Sequence, residues 1–322
     1  MRRTDFLKTL ALGGLLAPWS LRAASPNSSR TFNLLIPANP GGGWDLTGRA
    51  LGEALLQAGQ ARTVTYENRG GAAGAIGLAQ FANAHAGDPS ALLVMGSVML
   101  GGIITGKPPV GLEKIRPIAR LTNEYNVFVL PPNSPLGFMQ AVLQQFRQNP
   151  RTVKWGGGSR GSTEHVAVHL LARSLGVAPR DINYIPFRGG GEAAAALMAG
   201  YLSVGGSGLS EFLPHIESGR MRPVAVTSAE RLSGVDAPTL RELGHDVAIG
   251  NWRGVCAPIG LTAEQRGATT EAVRLALASE SWTASLRRHR WLSEPLLGEA
   301  FEVFVASEFE RLRTILAKAG LG

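Results

Sequence analysis

One stretch of the chain reads Ile36-Pro-Ala-Asn-Pro-Gly-Gly-Gly-Trp-Asp-Leu-Thr-Gly-Arg49. The apolar run 31–36 before it predicts a strand, and apolar residues at helical spacing from Leu46 to Leu55 predict a helix that Asp45 can cap. The glycines between them leave backbone N–H groups open to a ligand. Such a turn can bind an anion, because the N–H groups and the helix dipole both face it. A tight strand-to-helix turn without a ligand is the alternative.

The composition limits the possible classes of protein. The chain has 322 residues, 44% of them hydrophobic, enough for one or two domains with apolar cores. Its single cysteine, Cys256, excludes a disulfide framework, and the six histidines form no metal-binding motif, so we predict no metal and no cofactor. The net charge of +8 falls to +5, from 28 basic and 23 acidic residues, when residues 1–24 are left out, and this mild excess favours an anionic small molecule. Because the basic residues are not clustered with aromatic ones, we expect no nucleic-acid partner.

Residues 1–24 have the features of an export signal peptide. Arg2 and Arg3 begin a positive region, and the apolar run 10–21 that follows is too short to span a bilayer. Small residues at 23–24 provide a cleavage site. The spacing between the two arginines and the Phe-Leu-Lys sequence is one residue longer than a twin-arginine signal usually has, so both export routes stay open. Either route predicts an exported protein.

Strand and helix signals alternate along the rest of the chain, which predicts a layered α/β architecture. Two longer strand-like segments, 116–130 and 247–257, bracket the middle of the chain. We interpret them as crossover strands between two lobes. The first lobe then consists of residues 25–122 and 252–322, and the second of residues 123–251. A single large sheet is the alternative that periodicity leaves open.

The pattern of a strand, a glycine turn and a helix recurs along the chain. The further turns begin at Asn68, Gly156, Arg188 and Gly205. They offer backbone N–H groups, small hydroxyls and the guanidinium groups of Arg160 and Arg188, but they contain no Walker lysine and no convincing activated nucleophile. Donors without a nucleophile favour the recognition of carboxylates over their turnover.

Two enzyme motifs match the turn after residue 155. Gly157, Ser159 and Gly161 fit a hydrolase nucleophile elbow, which makes an exported esterase using Ser159 the alternative function. The predicted strand before the elbow is only three residues long, and nothing singles out a catalytic histidine. Residues 156–161 also match a dinucleotide fingerprint, but Asp181 precedes its strand, whereas a ribose-binding acid belongs at the far end. We therefore discard the dinucleotide site.

Seven segments resemble, in family order, the substrate-binding proteins of the tripartite tricarboxylate transporter family, the Bug-type extracytoplasmic solute receptors. The segments are 37–45, 68–77, 156–165, 184–192, 207–212, 227–240 and 251–258. They are distributed along the predicted mature chain from residue 37 to residue 258. Trp44 beside Asp45, and the sequence Asn251-Trp-Arg-Gly, are more similar to the citrate-receptor branch than to the amino-acid-binding one.

The resemblance implies a periplasmic-binding-protein-like clamp of two lobes with two crossover strands as its hinge. Such a receptor binds an organic carboxylate, citrate or another tri- or dicarboxylate, and delivers it to the membrane permease subunits of a tripartite tricarboxylate transporter. We expect a periplasmic monomer without catalytic activity. The implied ligand contacts are Gly41, Gly42, Gly43, Trp44, Asp45, Ala72, Ala73, Gly74 and Ser97 in the first lobe, and Ser159, Gly161, Ser162, Thr163, His165, Arg188, Gly189, Gly190 and Ser207 in the second.

Overall fold

The computed structural model describes residues 30–321, so the export signal predicted at residues 1–24 lies outside the described residues. The strands are β1 (Thr31–Ile36), β2 (Thr63–Asn68), β3 (Ala91–Gly96), β4 (Ile115–Thr122), β5 (Asn126–Leu130), β6 (Trp155–Gly157), β7 (Tyr184–Pro186), β8 (Val204–Gly208), β9 (Arg222–Val226), β10 (Arg253–Pro258) and β11 (Leu296–Leu297). The α-helices are α1 (Gly43–Gln57), α2 (Ala75–Ala84), α3 (Ser97–Gly106), α4 (Met139–Gln148), α5 (Thr163–Ser174), α6 (Gly190–Met198), α7 (Leu209–Glu217), α8 (Ala263–Leu277), α9 (Glu280–His289) and α10 (Gly298–Lys318). This alternation confirms the predicted α/β class.

The strands form two separate sheets, so the alternative prediction of a single large sheet is wrong. The first sheet has the order β11-β4-β10-β3-β1-β2, and the second has the order β7-β6-β8-β5-β9. In the first, β1 is parallel to β2 and β3, whereas β10 is antiparallel to β3 and β4. In the second, β6 is parallel to β7 and β8, whereas β5 is antiparallel to β8 and β9. Each mixed sheet with its helices forms one lobe.

The chain passes between the two sheets along two segments that lie side by side. Residues 123–125 connect β4 to β5, and residues 227–252 connect β9 to β10. An isolated antiparallel bridge joins Tyr125 to Gly250. The two crossovers are thus hydrogen-bonded to each other where they leave the sheets.

The prediction of one continuous strand in each crossover is wrong. The segment 116–130 is divided, because β4 ends at Thr122 and β5 begins at Asn126. In the segment 247–257, only the part from Arg253 onward is a strand. The apolar pattern runs through both crossovers, but the backbone has to exchange the neighbours of one sheet for those of the other, and this interrupts the hydrogen-bond ladder.

Each lobe has an apolar core around its central strands. In the first lobe, β3 is buried along its whole length, as expected of a strand covered on both faces. In the second lobe, the Trp155 ring meets the rings of Phe128 and Phe146 edge to face, with centroid distances of 5.6 and 5.1 Å. These cores hold the ends of the strands, and with them the glycine turns, in fixed positions.

Helix α3 is an element that sequence patterning did not reveal. Its apolar residues, among them Met99 and Leu100, give no amphipathic period because both faces of the helix are covered. Gly101 and Gly102 also have a low helix propensity. Tertiary contacts therefore determine that this helix forms. Ser97 lies at the N-terminus of the helix and not at the end of a strand.

The long helix α10 packs along β4 and α3, and its last turn reaches α5 of the second lobe. There the carbonyl oxygen of Ala319 lies 3.0 Å from Nδ1 of His169. This contact adds a link between the lobes beside the two crossovers. Between residues 30 and 321, none of the helices has the length and apolar character that crossing a membrane requires.

Candidate functional site

Glycine turns from both lobes open onto one cavity between the sheets, with about 520 Å³ of space that is partly open to solvent. The predicted residues that line it are Gly42, Gly43, Trp44, Ala73, Gly74, Ser159, Arg188 and Gly189. A second cavity shares Ala73, Ser159 and Arg188 with the first and is also lined by Ala72 and His165. The other predicted residues, Gly41, Asp45, Ser97, Gly161, Ser162, Thr163, Gly190 and Ser207, lie outside these two linings.

Asp45 holds the first-lobe turn, but not as the helix cap that the sequence predicts. Helix α1 begins at Gly43 with Gly42 as its N-cap and no capping side chain, which places Asp45 inside the first turn. Its buried carboxylate instead accepts hydrogen bonds from the N–H of Gly41 (2.9 Å) and from the Arg49 side chain (2.9 Å). Burial opposes ionisation, but the hydrogen bonds outweigh it and lower the pKa of Asp45.

The neighbouring turn of the first lobe has a strained backbone. Ala72 and Ala73 both adopt the left-handed conformation, with φ of 47° and 53°. For residues other than glycine this conformation costs on the order of 1–2 kcal/mol each. Gly74 follows with φ of 93°, and a Cβ atom there would lie 2.8 Å from the Trp44 ring. The strained turn therefore packs directly against an aromatic residue of the cavity wall.

The turn before α5 is held by groups of the helix that follows it. Ser162 caps α5, because its hydroxyl accepts a hydrogen bond from the N–H of His165. The buried carboxyl of Glu164 turns back and accepts from the N–H of Gly158. Burial raises the pKa of Glu164 to about 7, since none of the described residues places a cation beside it to offset the desolvation.

His165 is a neutral side chain in this turn. Its Nδ1 accepts a hydrogen bond from the N–H of Gly161 (3.0 Å), so the proton of the neutral ring is on Nε2. Burial lowers the pKa of His165 to about 3, and the nearby His169 and Arg160 add to this effect. The imidazole thus supplies no positive charge for an anion, and its Nδ1 is not free to act as a base for Ser159.

Glu211 joins the two lobes at the cavity wall and was not among the predicted site residues. Its Oε1 accepts hydrogen bonds from the N–H of Gly43 in the first lobe (3.0 Å) and from the N–H of Gly190 in the second (2.9 Å). Its Oε2 accepts from the hydroxyl of Ser207 (2.7 Å). The helix N-termini of α1 and α6 therefore share one carboxylate of the protein itself.

A buried ion pair at the cavity connects the crossover 123–125 to the start of β10. The guanidinium of Arg253, at the start of β10, pairs with the carboxylate of Glu124, and both side chains are almost fully buried. Ser210 donates a hydrogen bond to the same carboxylate (2.7 Å). Burial raises the pKa of Glu124 although Arg253 opposes this shift. Within the described chain, Nη1 of Arg253 and Oδ1 of Asn251 have no hydrogen-bond partner, and both residues line the cavity.

Sequence reasoning missed Glu211 and Arg253 as site residues, although each lies in a segment that carries the family resemblance. Residues 207–212 contain the first and residues 251–258 the second. The available signal was the charge, since these are charged residues within otherwise apolar or small-residue segments. The site as a whole offers hydrogen-bond donors and two guanidinium groups from opposite lobes. Among residues 30–321, no group of three or more metal-ligating side chains is placed to hold a metal ion.

Comparison with known proteins agrees with this geometry. The family model described as "Tripartite tricarboxylate transporter family receptor" matches residues 49–321. The Bordetella pertussis protein BugT is 30% identical over 256 residues, which are 78% of this chain and 76% of BugT.

Two solved structures share the fold at lower identity. The periplasmic binding protein BugD superimposes with a TM-score of 0.81 and 23% identity, over 91% of this chain and 99% of BugD. MatC from Rhodopseudomonas palustris, solved with bound malate, has a TM-score of 0.79 and 22% identity, over 89% of this chain and 99% of MatC. The two-lobe clamp fold is thereby confirmed. This chain belongs to the receptor family of the tripartite tricarboxylate transporters, whose members are solute-binding receptors and not enzymes.

Proposed function

We propose that the protein is a periplasmic receptor that binds an organic anion with two or three carboxylates between its lobes. It passes this ligand to the permease subunits of a tripartite tricarboxylate transporter. We assign residues 25–122 and 252–322 to the first lobe and residues 123–251 to the second, and we place the hinge in the two crossovers.

The observation that carries the proposal is the composition of the cavity wall. Turns of both lobes contribute to it, and two arginines, Arg188 and Arg253, line it from opposite lobes. Guanidinium and backbone N–H groups are the donors that proteins use for carboxylates. Net positive charge on the chain favours the approach of an anion. Malate in MatC is a dicarboxylate on the same fold and supports the ligand class.

Within this class of ligands, the similarity of Trp44-Asp45 and of residues 251–254 to the citrate-receptor branch favours citrate, whereas the carboxylate of Glu211 in the cavity wall favours a dicarboxylate. A carboxylate ligand of either size would bind only the folded protein. At a concentration of one hundred times Kd it would add about 2.7 kcal/mol to the free energy of unfolding.

A thermal-shift panel tests the proposal. The mature protein is heated alone, with di- and tricarboxylates, and with neutral sugars as the matched control. We expect the melting temperature to rise with at least one carboxylate and with no sugar. A shift with sugars but with none of the carboxylates would contradict the proposed function.

A further inference from the structure

We propose that Glu211 determines specificity by limiting the ligand to two carboxylates. This inference rests on the proposed function, namely that the cavity binds a carboxylate. The carboxylate of Glu211 already accepts hydrogen bonds from two N–H groups of opposite lobes and from one hydroxyl, those of Gly43, Gly190 and Ser207. These are the donors that a ligand carboxylate would otherwise use.

Two glycines allow the backbone to lie close to the side chains of Glu211 and its neighbours. A Cβ atom at Gly190 would lie 2.3 Å from Oγ of Ser207 and 2.9 Å from Cβ of Glu211. A Cβ atom at Gly43 would lie 2.2 Å from Nη2 of Arg253. The glycines at both positions therefore allow the backbone to reach the carboxylate and the guanidinium, and a larger residue would displace one of them.

The charges around the cavity lead to the same limit. Two cations, Arg188 and Arg253, line it together with Glu211, and Arg253 is already paired with the buried carboxylate of Glu124. The cationic donors that line the cavity are Arg188, which is exposed, and Arg253, whose buried Nη1 has no partner among residues 30–321.

Two such donors can each take one ligand carboxylate. A third carboxylate would be placed beside Glu211 without a countercharge, and this is unfavourable because desolvation and like-charge repulsion act together. The site therefore accepts a dicarboxylate and disfavours the tricarboxylate that contains the same skeleton.

Calorimetric titration with matched ligand pairs tests this inference. Glutarate and propane-1,2,3-tricarboxylate differ by one carboxylate, and so do 3-hydroxyglutarate and citrate. For the wild type we expect the dicarboxylate of a pair to bind at least about tenfold more tightly. In Glu211→Gln, whose amide oxygen can still accept from Gly43 and Gly190, the preference should fall at least about tenfold because one negative charge is gone.

The control variant is Glu242→Gln. The carboxylate of Glu242 also accepts from a backbone N–H, that of Thr239 (2.7 Å), and from the Arg231 side chain (2.8 Å), but Glu242 is exposed and does not line the cavity. Its replacement should leave the preference unchanged. If the role of Glu211 were only structural, Glu211→Gln would weaken the binding of both ligands of a pair equally.

The outcomes separate this inference from the proposed function. Wild-type protein that binds the tricarboxylate of each pair as tightly as the dicarboxylate overturns the inference without any variant and leaves the proposed function standing. An unchanged preference in Glu211→Gln overturns it as well. If the folded wild type binds no carboxylate of any size, the proposed function fails and the inference fails with it.

Discussion

The turn at Gly41 in the first lobe and the turn at Gly158 in the second have the same design but opposite electrostatics. In each, a carboxyl of the following helix turns back and accepts the N–H of a turn glycine. Asp45 also has Arg49 beside it, and its pKa is lowered, whereas Glu164 has no cation beside it within residues 30–321 and its pKa is raised to about 7. One turn is therefore held by a permanent charge and the other by an acid that titrates near neutral pH.

This difference teaches that a glycine turn at a helix N-terminus is not by itself an open anion site. The same N–H groups can be satisfied by carboxylates of the protein, and then the ligand has to find other donors. In this chain those other donors are side chains, Arg188 and Arg253. Changes at Glu164, Asp45 and Gly101 should separate the contributions of the two lobes.

The largest effect is expected at Glu164. Because its folded pKa of about 7 lies above the usual value of 4.5, its contribution to stability is complete below pH 4.5 and is lost as the pH rises through 7. The loss amounts to about 3 kcal/mol. Buried His165, whose pKa is lowered to about 3, has the opposite pH dependence, so the decline should appear in the difference between the wild type and Glu164→Gln, which keeps an acceptor for Gly158. Urea unfolding between pH 4.5 and 8 should give a free energy of unfolding that falls by about 3 kcal/mol more for the wild type than for the variant. Identical profiles would mean that Glu164 is ionised throughout.

Asp45→Asn should have a smaller effect on stability, and the contribution of Asp45 has the opposite pH dependence. Its lowered pKa means that the ionised carboxylate stabilises the fold above pH 3.8 and that this contribution is lost as the pH falls below that value. At pH 7 the amide leaves at least one of its buried donors without an acceptor, so we expect a loss of about 1–3 kcal/mol.

Asp246→Asn is the matched control for Asp45→Asn. Asp246 also accepts from an arginine Nε at 2.9 Å, that of Arg241, but its side chain is 88% exposed. Removing such a surface pair should cost less than about 1 kcal/mol. If urea unfolding gave equal losses of stability in the two variants, burial of Asp45 would add nothing to the free energy of unfolding.

The smallest effect on stability, with a clear effect on binding, is expected where the lobes touch. A Cβ atom at Gly101 of α3 would lie 2.1 Å from the carbonyl oxygen of Gly161 in the second lobe, and backbone atoms cannot move aside as side chains do. Gly101→Ala should therefore hinder closure and weaken the binding of the best carboxylate at least about tenfold, or about 1.4 kcal/mol. Its melting temperature without ligand should stay unchanged or rise, since alanine favours the helix.

Gly106→Ala controls for the substitution itself. Gly106 ends the same helix, and a Cβ atom there would meet nothing within 4 Å. Its binding, measured by calorimetry, should match that of the wild type. Wild-type affinity in Gly101→Ala would show that the ligand does not need this contact between the lobes.

Much of this fold could be predicted from the sequence because the signals were local. Glycine turns between strands and helices indicated the cavity wall, and the cap at Ser162 follows from residue type and position. The helix Ser97–Gly106 could not be predicted, since it is apolar all round and contains glycines. The breaks in the crossovers also depend on which sheet each backbone segment joins, and this is not a local property.

The predicted site was incomplete for a related reason. Glu211 and Arg253 lie 42 positions apart in sequence numbering, and each is placed by contacts with a distant partner, Gly43 and Glu124 respectively. No spacing rule connects such residues. A charge in a small-residue segment was the only local indication, and it does not tell whether the charge faces the ligand, another charge or solvent.

Small-angle scattering of the mature wild-type protein, with and without a saturating carboxylate from the panel, tests the central claim that the ligand is bound between two lobes. A ligand that contacts both lobes favours the closed form by its differential affinity. We therefore expect a smaller radius of gyration with the ligand for the wild type and for Gly106→Ala, and little or no contraction for Gly101→Ala. An unchanged radius of the wild type at saturation would contradict the clamp, because the ligand would then bind to a rigid protein or to one lobe alone.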